Sequence, residues 1–461
     1  MHVNGSSGER RWSTGLIAVL CLALMLASDA RGQILRGDWV DASQAAIEQH
    51  RKTDLHVIVL DEAGEYVRAA EVHVLLEQHA FDWGIHLSAE AFAEGAAPTW
   101  NADTPVWRCL NAVALDDASA WTAMQPVADE RREDALRAMI DWCRARRLRM
   151  RWGGVVSADP EHLPRWVGEL EDAQLRAAIE QRIEHVLTRY AGVTRAFDLH
   201  PHVVDHRFVE ARLGTAMVRH MHEYARALAP DARIGFRFEN CLVSGRLQAA
   251  LQRLTELREA FVPGDCIVLD DEVTGTVLPV PLQRAMQWLR GTGLPVVVGR
   301  LEVSGGSATG AAVNMEILLR ILFAEPTIEG IYLNGITADQ VTHEHAALVD
   351  TEGELTVVGR TFEGLVRGLW WTDEKAKTDQ LGNVRMRVFA GTYRITATMP
   401  DGSRVVMRTN VPRADEPRLV VVQPIGGKAG AGDHAADDVE AKTPTSEPER
   451  EPAQDEESLQ P

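Results

Sequence analysis

A few short segments of this chain concentrate ionisable residues at spacings that suit chemistry. Asp198-Leu199-His200-Pro201-His202 sets two imidazoles two residues apart, so an extended backbone would turn both to one side. Such a pair can ligate a metal when Asp or Glu completes the shell, or one ring can move a proton near neutral pH. Pro201 breaks regular strand geometry between them. Histidines satisfied by nearby carboxylates are therefore expected, with no metal site and no cofactor. Arg300-Leu301-Glu302 joins a permanent cation to a carboxylate. A guanidinium cannot act as a nucleophile, but it can clamp an acidic ligand in bidentate geometry. A salt bridge from Arg300 to Glu272 or Asp270 is the plainer expectation. Asp265–Glu272 is acidic enough to suggest calcium but lacks a loop with alternating oxygen ligands. Asp116-Asp117 and Arg237-Phe238-Glu239 complete the set.

Each of these clusters closes an apolar run, and the runs recur through the middle of the chain. Eight candidate strands are Phe81–His86, Leu110–Leu115, Arg149–Val155, Ala196–His200, Ile234–Phe238, Cys266–Leu269, Val296–Arg300 and Gly330–Leu333. Helical patterns lie between most of them: Glu130–Arg146, Asp172–Ala191, Arg207–Ala229, Gly245–Phe261, Leu282–Gly291 and Ala312–Phe323. Eight strands alternating with helices predict an α/β fold, a (β/α)8 TIM barrel, whose strand-end residues gather at the C-terminal mouth. A doubly wound open sheet is the alternative, but no glycine-rich phosphate loop follows an early strand. The mouth should then present Asp116, Asp117, His200, His202, Arg237, Glu239, Asp270, Asp271, Glu272, Arg300 and Glu302. Small β modules flank the barrel: Leu55–Leu60 with Val72–Gln78, read as a hairpin-like unit within 51–80, and Val384–Phe389, Tyr393–Met399, Val405–Thr409 and Leu419–Val422 within 384–424. His220 and His222 lie on a helix and are expected at the surface. Trp370-Trp371 should seal the barrel against the late β module, and Trp152 should fill barrel space.

The whole chain has 461 residues, 45% hydrophobic, enough for one large domain with accessories. A formal net charge of −19 excludes nucleic-acid binding, which needs clustered Lys and Arg. Arg10-Arg11, the apolar run Leu16–Ala27 and Ser28-Asp29-Ala30 predict an export signal over 1–30 and a periplasmic or extracellular protein. The run is short for a membrane span, so none is expected after cleavage; an uncleaved anchor is the alternative. Cys109, Cys143, Cys241 and Cys266 lack any C-x-x-C pair and sit in apolar elements, which predicts buried free thiols. Residues 425–461 are poor in apolar side chains and predict a disordered acidic tail.

Several motifs, in order, resemble glycoside hydrolase family 10, the xylanases, over about Phe81 to Thr372. His79-Ala80-Phe81-Asp82-Trp83-Gly84 is similar to the family's entry strand H-x-F-x-F-G. Leu110 to Asp117 followed by Trp121 is similar to F-N-x-V-x-x-E-N-x-x-K-W. Leu163-Pro164-Arg165-Trp166-Val167 matches L-P-x-W-V, and Gly293-Leu294-Pro295-Val296 matches G-L-P-I. Ala347 to Gly353 is similar to L-L-F-D-x-D-G. The resemblance implies two catalytic glutamates, roughly 5–5.5 Å apart in retaining enzymes. Phe197 to His202 corresponds to the family's W-D-V-V-N-E, which puts His202 at the acid/base. Val298 to Glu302 corresponds to I-T-E-L-D, which puts Arg300 at the nucleophile. Around them the family's Lys becomes Ala120, its R-G-H-T-L-V-W becomes Arg151 to Ser157 with Gly153 in place of the His, its Q-x-H becomes Asp270 and Glu272, and its last Trp becomes Asn334.

Scaffold positions persist while sugar-site positions change. The expectation is a catalytically degenerate, xylanase-like protein that binds a polysaccharide or another ligand at the mouth or serves as a scaffold. The alternatives are a glycosidase rescued by displaced carboxylates such as Glu302 or Glu272, and a metal-assisted hydrolase.

Overall fold

A computed structural model of the chain describes residues 37–87, 92, 104–243, 245–413 and 417–424. The expected export signal and disordered acidic tail lie outside the described residues. A helix, Asp38–Arg51, leads into β1 (Lys52–Val59) and β2 (Glu71–His79). Eight short strands then build the barrel: β3 (Asp82–His86), β4 (Ala112–Ala114), β5 (Arg149–Arg151), β6 (Ala196–Asp198), β7 (Arg233–Phe238), β8 (Cys266–Val273), β9 (Val296–Val303) and β10 (Ile328–Asn334). They hydrogen-bond in the order β5-β4-β3-β10-β9-β8-β7-β6 and every pair is parallel. The ring closes between β5 and β6 through Trp152, whose N–H donates to Ala196 O at 2.9 Å and whose carbonyl accepts from Asp198 N–H at 3.1 Å. Apolar runs such as Val296–Val298 are buried on both faces, as a parallel sheet covered by helices requires.

The predicted helices form the outer ring with small shifts. The long pattern at 207–229 is two helices, Phe208–Leu213 and Thr215–Leu228, split at Gly214, where φ is +77°. His222 faces inward, buried, and its Nδ1 meets Pro263 O at 2.7 Å; only His220 stays partly exposed. The surface expectation therefore fails for His222, because the apolar face of this helix also includes Met217, Val218, Met221 and Ala225.

The flanking β modules are interleaved. β1 runs between β12 (Asn383–Phe389) and β15 (Arg418–Val422), while β2 lies between β11 (Asp373–Lys377) and β13 (Gly391–Thr398), with β14 (Arg404–Val411) at that sheet's edge. The hairpin expected from β1 and β2 does not form. Asp61 closes a tight side-chain turn by accepting from Ala63 and Glu65 N–H, a single bridge joins Leu60 to Tyr66, and the chain then crosses to the other sheet. β11 has no apolar alternation to mark it and forms only because it pairs with β2. Trp370, fully buried, stacks on Trp83 at 5.6 Å and seals the barrel floor. Buried Arg51 donates to the carbonyls of Phe323, Glu325 and Ile328 beyond the barrel's last long helix, tying β1 to that floor. Trp152 is likewise fully buried, against Tyr190 and Phe197.

Candidate functional site

At the C-terminal ends of the strands a cavity of about 470 Å³ opens. Asp116, Asp117, His202, Arg237, Glu239, Asp270, Asp271, Glu272 and Arg300 all line it, so nine of the eleven mouth residues named above come together here. His200 and Glu302 do not line it.

Arg237, projecting from β7, organises the centre. Its Nη2 lies 2.6 Å from Asp116 Oδ2 and 2.7 Å from Asp270 Oδ2, and its Nη1 lies 3.4 Å from Asp198 Oδ2. Asp198 is held from the other side by buried Arg151 of β5. Two guanidiniums thus pair with three carboxylates beneath the cavity. Burial pushes the Asp116 carboxyl up, yet Arg237 and His86 together hold it well below the usual carboxylate range. Burial holds the Asp270 carboxyl above its ordinary value; Arg237 offsets this only in part, and Asp116 adds to it. Burial opposes the charge on Arg237, but Asp116, Asp270 and Asp198 keep it firmly protonated.

The space for this network exists because residue 153 is glycine. A Cβ there would stand 1.9 Å from Asp116 Oδ1, and one at Gly154 would stand 2.5 Å from Pro201 Cγ. The family's histidine at position 153 could not coexist with this placement of Asp116.

His202 and His200 part company after Pro201. His202 takes a left-handed backbone (φ +65°) that turns its ring into the cavity. Its N–H donates to Glu239 Oε1 at 2.8 Å, its Nδ1 sits 2.8 Å from Ser157 Oγ, and its ring stacks on His162 at 4.3 Å. Burial, helped by His162 and Arg237, pushes the His202 imidazole down to about 3, so it is neutral at physiological pH. His200 points away from the mouth with Nδ1 2.6 Å from Val156 O, and burial pushes it down to about 4. The expected common side for the two rings is lost because the strand ends at Asp198. Among the described residues no group of three or more His, Cys, Asp or Glu is arranged to hold a metal ion.

Glu239 gained significance only in three dimensions. Burial, with Asp270 nearby, pushes its carboxyl up to about 8, and it sits beside His202, with Oε1 3.9 Å from Nε2. Arg300 makes no salt bridge to Glu272 or Asp270; its Nε donates to Asn334 Oδ1 at 3.1 Å, because Asp270 is already held by Arg237. Glu272 instead approaches His343 Nε2 at 3.4 Å. Glu302 is buried and accepts from Asn334 Nδ2 and from the N–H groups of Thr342 and His343, so its lone pairs fix a loop. Ser157, His162 and the Arg151–Asp198 pair went unnoticed in the sequence. The Arg-Met-Arg and Ala-Phe-Asp alternation at two facing strand ends was the available signal for that pair.

Residues 76–352 match the family model described as glycosyl hydrolase family 10. The chain belongs to that family. Among its relatives, the anti-sigma-I factor RsgI6 of Acetivibrio thermocellus is 24% identical over 81% of this chain and 49% of its own length. Endo-1,4-beta-xylanase 1 of Arabidopsis thaliana is 22% identical over 62% of this chain and 30% of its own. The chain thus spans about half or less of the curated relatives it matches. The fold is shared with xylanase 10B from Thermotoga petrophila, solved with xylobiose, at a TM-score of 0.54 and 13% identity, covering 63% of this chain and 94% of that one. A family 10 structure from Paenibacillus barcinonensis gives 0.54 at 14% identity, covering 63% and 95%. The four described cysteines are free and buried.

Proposed function

We propose that this family 10 protein is exported and binds a polysaccharide at its barrel mouth without cleaving it. The observation that carries the reading is the chemistry at the two positions the family resemblance assigns to catalysis. One holds a neutral imidazole, His202, and the other a guanidinium, Arg300. The neutral imidazole carries no acidic proton to give, the guanidinium cannot attack an anomeric carbon, and the central carboxylates Asp116 and Asp270 are both committed to Arg237. A polar mouth of this volume still offers Asp117, Glu272 and Arg300 to a sugar's hydroxyls. Sensing in place of digestion is in keeping with the relative named as an anti-sigma factor, and the Leu16–Ala27 run supports export.

Titration calorimetry with xylo-oligosaccharides, paired with a reducing-sugar assay on xylan, tests the proposal. Binding without turnover is the expected result. Glu239 supports a second reading, because a carboxyl protonated near neutrality beside the family's acid/base position is equipped to donate a proton. Xylan turnover that disappears in Glu239→Gln would replace the binding reading with that one.

A further inference from the structure

A second cavity, of about 430 Å³, lies at the opposite pole, where the barrel's floor meets the sheet of β2, β13 and β14. Six arginines line it: Arg108, Arg146, Arg147, Arg367, Arg394 and Arg408. Among the described residues, Glu77 is the only acidic one in the lining. This is a strong concentration of positive charge in a chain with a formal net charge of −19.

The six fall into two groups. Arg394 and Arg408 share Glu77, at 3.5 Å and 2.9 Å. None of the other four pairs with a carboxylate at ion-pair distance among the described residues. Two of those four are held in place by aromatic rings: Arg146 lies over Trp142 at 4.1 Å, and Arg367 lies over Trp371 at 3.7 Å. Arg147 sits on a left-handed backbone (φ +55°) just before β5, in the turn that brings it to the cavity. Guanidiniums repel one another, and gathering six around one Glu costs stability unless an anion joins them. Stacking on Trp leaves the N–H edges of Arg146 and Arg367 available, the geometry that grips carboxylate or phosphate oxygens.

We propose that this cavity binds a small ligand carrying two or more oxyanion groups, phosphate or carboxylate. Its volume suits a small molecule, and the negative charge of the rest of the protein disfavours an extended polyanion. The site is distinct from the mouth and does not depend on the reading of the mouth.

The test is calorimetry on the full chain with inorganic pyrophosphate and, separately, citrate, at about 0.15 M ionic strength held constant with NaCl. Saturable 1:1 binding of at least one is expected, and which one binds identifies the oxyanion. The double variant R108Q/R147Q should weaken binding by about tenfold or more. E77Q should tighten it by about threefold, because Arg394 and Arg408 are released to the ligand. Circular dichroism verifies that each variant is folded, and the opposite sign expected for E77Q keeps the test decisive if R108Q/R147Q folds poorly. The proposal is overturned if neither anion binds saturably, or if the affinity does not move in these directions in folded variants.

Discussion

Replacing Arg237 with Gln tests the account of the mouth most directly. The guanidinium is nine-tenths buried and meets Asp116, Asp198 and Asp270. Asp198 keeps Arg151, but Asp116 and Asp270 lose their main counter-charge. Removing one partner from a buried ion pair costs about 3–5 kcal/mol, because the remaining charge is stranded in a poorly hydrated site. With about 2 cal/mol/K of unfolding entropy per residue, a folded body of this size has about 0.8 kcal/mol/K, so Tm should fall by about 4–6 °C. The pH dependence adds a signature. In the native protein Asp116 titrates below its unfolded value, so its contribution to stability is present above that value and lost as pH falls. Without Arg237, His86 still favours the Asp116 carboxylate, but burial, the largest single effect on it, is far less opposed, so the variant loses less stability than the native protein as pH falls. The gap between the two proteins should therefore narrow from pH 7 towards pH 4.5. Adding D116N and D270N to the variant should restore most of the loss at pH 7, since no buried charge is then stranded. Thermal melts followed by circular dichroism measure all of this. A Tm change under about 1 °C at pH 7, or a gap that does not depend on pH, would refute the reasoning.

Glu239→Gln should become progressively more stable than the native protein as pH rises from 5 to 9. The native carboxyl, raised to about 8, carries its proton in the folded state and loses stability as pH climbs through that window; urea titrations at several pH values check this. Gly153→Ala should cost about 1–3 kcal/mol, because its Cβ would collide with the Asp116 carboxylate; a chemical denaturation midpoint close to that of the native protein would contradict the packing described. Trp370→Ala should cost about 3–5 kcal/mol through the cavity left against Trp83 and Phe323, read from the same titrations.

The barrel was legible from the sequence because parallel strands buried on both faces leave continuous apolar runs, and the helices between them keep a 3.6-residue period. Those signals are local. The mouth's membership was legible for the same reason, since residues at the ends of barrel strands must gather at one pole. β11 escaped notice because Asp373 to Lys377 carries no apolar alternation and owes its strand to β2. The β1–β2 hairpin was misread because proximity in sequence does not decide which sheet a strand joins.

Which charge meets which was decided only by the tertiary structure. Strand periodicity gives the side a residue faces, but ion pairs form across 33 to 121 residues of chain, as Arg237 does with Asp270 and Asp116. Their geometry depends on where the ring closes. The break at Pro201 sends His200 inward and His202 to the cavity. The loop at Thr342 and His343 takes up Glu302, and Asp116 occupies the space beside Gly153. The sequence by itself determined that this chain is a family 10 barrel, and the motif resemblance implies His202 and Arg300 at the family's two catalytic positions. Only the fold decided that Asp116 and Asp270 would pair with Arg237, because burial makes an unpaired charge costly and each carboxylate takes the partner the closed barrel brings within reach.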